Sequence, residues 1–175
     1  MKKLLLIIKN EQGFTSIGKG VIALLMLALL SYPAYKVYDK IQLNSLIKDS
    51  ANGEAFAQTD LGARYYYGNE VTQSYYKAIS LWEKAANQGY AKAQWNLGRM
   101  YIWGRGISQS DEQGIYWITK AAEQELSDAQ TLLGAHLYEG SMVKKNIKLG
   151  LYYLNRAIEN GDEVAKMYKE SNGIE

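Results

Sequence analysis

The sequence predicts an all-α protein: an α/α solenoid of about three 36-residue helix-turn-helix repeats with partial end repeats, preceded by an N-terminal hydrophobic (transmembrane) helix. Three observations carry this. Identical residues return at a constant spacing of 36, as in Leu61/Leu97/Leu133, Gly62/Gly98/Gly134 and Gly68/Gly104/Gly140. A fixed period of this length marks a stacked array. Within each unit, small and apolar residues recur every three or four positions, the period of a helix face. The longest apolar run, VIALLMLALL at 21–30, stands alone near the N-terminus.

Composition narrows the function. The 175 residues are 47% apolar and 22% charged, a globular balance, with a net charge of +2. No long run of one sign occurs, so the chain lacks the electrostatic footprint of a nucleic-acid binder. Without cysteine there is no disulfide, thiolate nucleophile or cysteine metal site. With His136 the single histidine, chemistry that needs a histidine pair is excluded. No cofactor, metal or enzymatic activity is expected.

Residues 1–38 form the leader and anchor. From Gly20 to Tyr38 a helix would span about 28 Å, close to a hydrocarbon core of about 30 Å. Lys2, Lys3, Lys9 and Lys19 precede the run against Glu11 alone. That excess predicts a single-pass anchor at 20–38 with a cytoplasmic N-terminus, which places the repeats in the periplasm or outside the cell. Tyr32, Tyr35 and Tyr38 would sit at the far interface. A cleaved secretory signal is the alternative, leaving a secreted protein. Its cleavage site lacks the small-residue pair, because cutting after Ala34 puts Tyr32 at the third place and cutting after Ser31 puts Leu29 there. KNEQGFTSIG at 9–18 also resembles the processing site of type IV prepilins. Gly13, Phe14 and Thr15 match, PAY at 33–35 echoes the end of the pilin apolar segment, and the resemblance implies cleavage between Gly13 and Phe14. Gly18 stands where pilins usually carry glutamate, and Lys19 interrupts the apolar segment.

The array follows. Residues 39–54 read as a half-repeat cap, 55–90, 91–126 and 127–161 as repeats 1 to 3, and 162–175 as a C-terminal capping helix and tail. End units of this kind cover a neighbour's apolar face. In the first helix of each repeat, helix A, the stripe is Ala57-Leu61-Tyr65, then Ala93-Leu97-Tyr101, then Ala129-Leu133-Leu137, each ended by glycine. Helix B carries Ala78, Ile79, Trp82, Ala85 and Ala86 and their equivalents. Gly89 and Gly161 suit left-handed helix ends, whereas Glu125 at the equivalent place predicts a differently closed turn. Gly62, Gly98 and Gly134 are expected to face Ala78, Gly114 and Gly150, drawing helices A and B nearer than the usual 8–10 Å.

AKAQWNLGRMYIWG at 91–104 and LWEKAANQG at 81–89 resemble the Sel-one-like repeat family, the α/α-solenoid cousin of the tetratricopeptide repeat. The resemblance covers about 39–170 and implies protein–protein interaction, generally without catalysis. A cysteine-rich subgroup has been linked to penicillin or peptidoglycan handling, and this cysteine-free chain departs from it. In tetratricopeptide-like arrays helix A lines the concave groove. By resemblance the groove positions are Phe56, Thr59, Ala63 and Tyr66, then Lys92, Trp95, Arg99 and Ile102, then Asp128, Thr131, Ala135 and Tyr138. Trp95 and Arg99, one turn apart, share a face and belong to types enriched at interface hot spots. The competing reading makes Trp95 a packing residue between repeats.

Candidate chemistry is thin. His136 reads as structural or solvent-facing, Asp111-Glu112 as a helix start, Glu159, Asp162 and Glu163 as a solvated helix start, and GRG at 104–106 as a loop. The expected function is a membrane-tethered adaptor binding another protein or peptide in the helix A groove, in the cell envelope. The alternatives are a pilin-like subunit carrying a solenoid head and an envelope glycan-active enzyme.

Overall fold

The computed structural model describes residues 39–174, all helices and connections. Helix α1 covers 39–51. It is followed by α2 (Ala55–Tyr67), α3 (Tyr75–Asn87), α4 (Ala91–Trp103), α5 (Asp111–Glu123), α6 (Ser127–Glu139), α7 (Ile147–Glu159) and α8 (Glu163–Ser171). Residues from Ser45 onward form one compact unit. Among the described residues no helix is long and apolar enough to cross a membrane. The expected span at 20–38 and the Gly13–Phe14 processing site lie outside the described residues.

The helices begin and end by one chemistry repeated three times. Gly68, Gly104 and Gly140 end α2, α4 and α6 in the left-handed region, at φ 76°, 63° and 78°. Their amides donate to Arg64, Met100 and His136, satisfying carbonyls the helix leaves open. Each loop is then tied back: Ser74 N donates to Tyr65 O (2.8 Å), Ser110 N to Tyr101 O (3.0 Å) and Asn146 N to Leu137 O (2.8 Å). The same residues cap α3, α5 and α7, each accepting from the amide three residues on.

Helices A and B approach through their small residues. A Cβ built on Gly98 would lie 2.7 Å from Ile118 Cγ1 and 2.9 Å from the Gly114 carbonyl. One on Gly150 would lie 2.8 Å from Gly134 O. The expected pairing therefore holds for Gly98 with Gly114 and Gly134 with Gly150, but not for Gly62 with Ala78. In repeat 1 Trp82 fills the crossing instead and donates its indole N–H to Thr59 O at 3.1 Å.

Each hydrophobic cluster straddles a repeat boundary. Ala78, Trp82 and Ala85 of α3 are buried with Ala93, Leu97 and Met100 of α4. Ile118 and Ala121 of α5 are buried with Ala129, Leu133 and Leu137 of α6, and Leu154 and Ala157 of α7 with Ala165 of α8. Helix B of one unit thus needs helix A of the next to bury its stripe, which is the physical reason such units stack.

The turn at Glu125 corrects the sequence expectation. It closes as its equivalents do: Glu125 N donates to Ala122 O (3.0 Å) and Leu126 N to Ala121 O (3.2 Å), matching Gly89 and Tyr90 on Ala86 and Ala85. Glu125 adopts φ 64°, beside 88° for Gly89 and 84° for Gly161. The stacked neighbours impose the turn, and the side chain bears the left-handed strain.

A buried glutamine relay also links the repeats. Gln58, Gln94 and Gln130 are 4%, 4% and 2% exposed, so their amides need partners. Their Nε2 groups donate to Ser50 O, Ala86 O and Ala122 O of the preceding unit. Their Oε1 atoms accept from Gln88, Gln124 and Asn160 at the end of their own helix B.

Candidate interaction site

The helix A face of the array carries three adjoining clefts with Trp95 in the wall of each. A cleft of about 560 Å³ runs between α4 and α6, bounded by Trp95, Arg99, Ile102, Trp103, Asp128, Leu132 and His136, with Met142 from the following loop. A second, of about 460 Å³, reaches α2 through Ala63, Tyr66 and Tyr67 and includes Lys92 and Asn96. A third, of about 320 Å³, lies against Thr131, Ala135, Asp162 and Tyr168.

The structure therefore brings together Ala63, Tyr66, Lys92, Trp95, Arg99, Ile102, Asp128, Thr131 and Ala135 of the positions named from sequence. The others part company. Thr59 is 4% exposed and turns its hydroxyl to Ala55 O at 2.7 Å, so it serves its own helix. Phe56 is exposed and Tyr138 half-buried, and neither lines these three clefts. Ile102 is 7% exposed and belongs to the second core cluster, forming cleft wall rather than a projecting contact. It sinks because Gly114 is beneath it: a Cβ there would meet Ile102 Cγ1 at 2.5 Å. Trp95 combines both readings, packing against the second core cluster with one side while lining all three clefts.

An aromatic and cationic ladder runs along α4. Trp95, Arg99 and Trp103 are spaced by four residues and lie on one helix face. The Arg99 guanidinium stands over both rings, 5.4 Å from the Trp95 centroid and 4.3 Å from that of Trp103. Arg105 lies over Trp103 at 5.0 Å and donates to the Tyr66 hydroxyl at 2.5 Å. Tyr66 in turn packs against Tyr67, Tyr75 and Trp82, with ring centroids 4.8, 5.3 and 5.7 Å away. The sequence marks Arg105 only as part of a loop and gives Trp103 no groove role, although the four-residue step from Arg99 to Trp103 is legible there.

His136 is half-buried in the wall of the 560 Å³ cleft. Its Nδ1 shares a hydrogen bond with Ser141 Oγ at 2.7 Å. Burial lowers its pKa from the ordinary 6.5, against Glu139 and Asp111, which pull it up. Among the described residues no carboxylate hydrogen-bonds the other ring nitrogen, and none form a cluster of three or more acidic or histidine groups able to hold a metal. Asp162 caps α8 as expected, accepting from the Val164 and Ala165 amides, but also accepts from the Thr131 hydroxyl at 2.7 Å.

A family model described as Sel1 repeat matches residues 55–90, 91–126 and 127–162. A crystal structure of a Sel1 repeat protein from Oxalobacter formigenes is 31% identical, with a TM-score of 0.69 over 74% of this chain and 98% of that one. A protective antigen present in uropathogenic Escherichia coli strains and displaying an SLR fold is 35% identical, with a TM-score of 0.68 over 75% of this chain and 29% of that one. Helicobacter pylori cysteine rich protein B is 22% identical, with a TM-score of 0.58 over 74% of this chain and 92% of that one, and shares the fold. No curated protein matches at a significant level.

Proposed function

The chain belongs to the Sel1 repeat family, and on that premise we propose that it is a membrane-tethered adaptor in the cell envelope whose helix A face holds a segment of another protein. Sel1 repeat proteins are protein-interaction adaptors on a generally non-catalytic scaffold. The observation that carries the reading is the ladder of Trp95, Arg99 and Trp103 in the clefts. Large aromatic and guanidinium groups at the centre of a recess are the types that dominate binding energy. Trp103 remains 46% exposed beside Trp95 in the same clefts, so its indole is accessible to a partner.

The tether rests on the sequence at 20–38 and the lysines before it. A pilin-like subunit with a solenoid head is the second reading, favoured by Gly13-Phe14-Thr15. One preparation tests both readings. The full chain is purified from the membrane fraction after mild in-cell crosslinking, and its intact mass and its crosslinked protein are identified. Membrane recovery with an uncleaved N-terminus and a discrete partner, lost in the Arg99→Gln/Arg105→Gln variant, supports the tethered adaptor. A chain beginning at Phe14 supports the pilin-like reading, and recovery in the soluble fraction rejects the tether.

A further inference from the structure

Building on the adaptor reading, we infer that the occupant of the clefts is an acidic peptide segment: a side-chain carboxylate held by Arg99, flanked by a large apolar side chain that enters the 560 Å³ cleft. The charge on this face is unbalanced. Lys92, Arg99 and Arg105 stand there against Asp128 and, in the third cleft, Asp162, whose carboxylate is already taken up by the Thr131 hydroxyl and the Val164 and Ala165 amides. Among the described residues neither arginine pairs with a carboxylate, whereas Arg64 pairs with Asp60 and Glu70, and Arg156 with Glu125 and Glu159. The protein thus supplies acids to arginines elsewhere and withholds them here.

Geometry adds to charge. The Arg99 guanidinium carbon lies over the rings of both Trp95 and Trp103, and among the described residues no hydrogen bond or ion pair takes up its N–H donors. A planar fork of donors matches a carboxylate bidentately, and contact with two indole rings favours holding it in place before the ligand arrives. Beside it the cleft offers Ile102, Leu132 and Met142, an apolar wall suited to Leu, Ile, Phe or Met. Arg99 is half-buried and lines the clefts beside α4, a setting that suits an extended chain entering a cleft better than a flat anionic bilayer.

A random 12-residue peptide display library panned against the full chain in detergent micelles tests this, with the strongest sequence then synthesised alongside its Asp→Asn/Glu→Gln counterpart. Recovered peptides are expected to be enriched in Asp or Glu next to a large apolar residue. The acidic peptide should bind at least about tenfold tighter than its amide counterpart, weaken as salt rises, and lose that advantage with Arg99→Gln. Arg99→Lys, which keeps the charge without the fork, should restore only part of it. Enrichment of neutral or basic peptides, equal binding of the acid and amide forms, or retention on anionic vesicles in place of peptide overturns the inference. The adaptor reading fails separately: it survives if in-cell crosslinking at this face captures a neutral or basic segment, and falls if nothing is captured.

Discussion

At the residue scale, Glu125 shows a local preference losing to the array. It holds φ 64° where its two equivalents are glycine. A left-handed L-residue costs about 1–2 kcal/mol, partly offset by the extra chain entropy that glycine loses on folding. Glu125→Gly should therefore stabilise the protein by about 0.5–1 kcal/mol in urea unfolding. Its exposed ion pair with Arg156 subtracts little. His136 carries a pH signature. Its pKa is lowered by burial, so the unfolded chain takes up a proton at a higher pH than the folded one. The stability it contributes is whole above the unfolded value of 6.5 and is lost as pH falls through the lower folded value. The drop in unfolding midpoint between about pH 7.5 and 5.5 should shrink in His136→Gln.

At the scale of the element, the helix crossing reverses an intrinsic preference. Alanine is favoured over glycine in a helix interior by about 1 kcal/mol, yet Gly98→Ala would put a methyl 2.9 Å from a backbone carbonyl of α5. Overpacking costs typically about 1–3 kcal/mol, so the net effect expected is a loss of about 1–2 kcal/mol and a lower melting temperature. The crossing was legible because glycine recurs at one phase of the period, as were the closing glycines and the apolar stripes. Other features were not, for definite reasons. The buried glutamines repeat in the sequence, but their partner is a carbonyl eight residues back across a helix end, which no period reveals. The depth of Ile102 depends on Gly114 one helix away. Trp103 was readable by the four-residue step, but positions counted from the leucine-glycine pattern stop at 102.

Across the whole molecule, stacking explains why the site lies where it does. Every cluster of buried residues joins one repeat to the next, so neighbouring A helices are held side by side and the clefts between them come prebuilt. Such preorganisation reduces the entropic cost of binding. Trp95 touches all three clefts because repeat 2 has a neighbour on each side. The fold, the period and most of the face could be read from the chain. The charge imbalance could not, since it depends on which arginines the folded array leaves without acids. The central claim, that this face holds a partner protein, is tested most directly by placing a photo-crosslinking residue in the full chain in cells, at Lys92 in the clefts or at Tyr116 on the exposed side of α5. A discrete protein adduct from position 92 and none from 116 is the predicted result. Adducts from 116 alone, or from both positions equally, would contradict it.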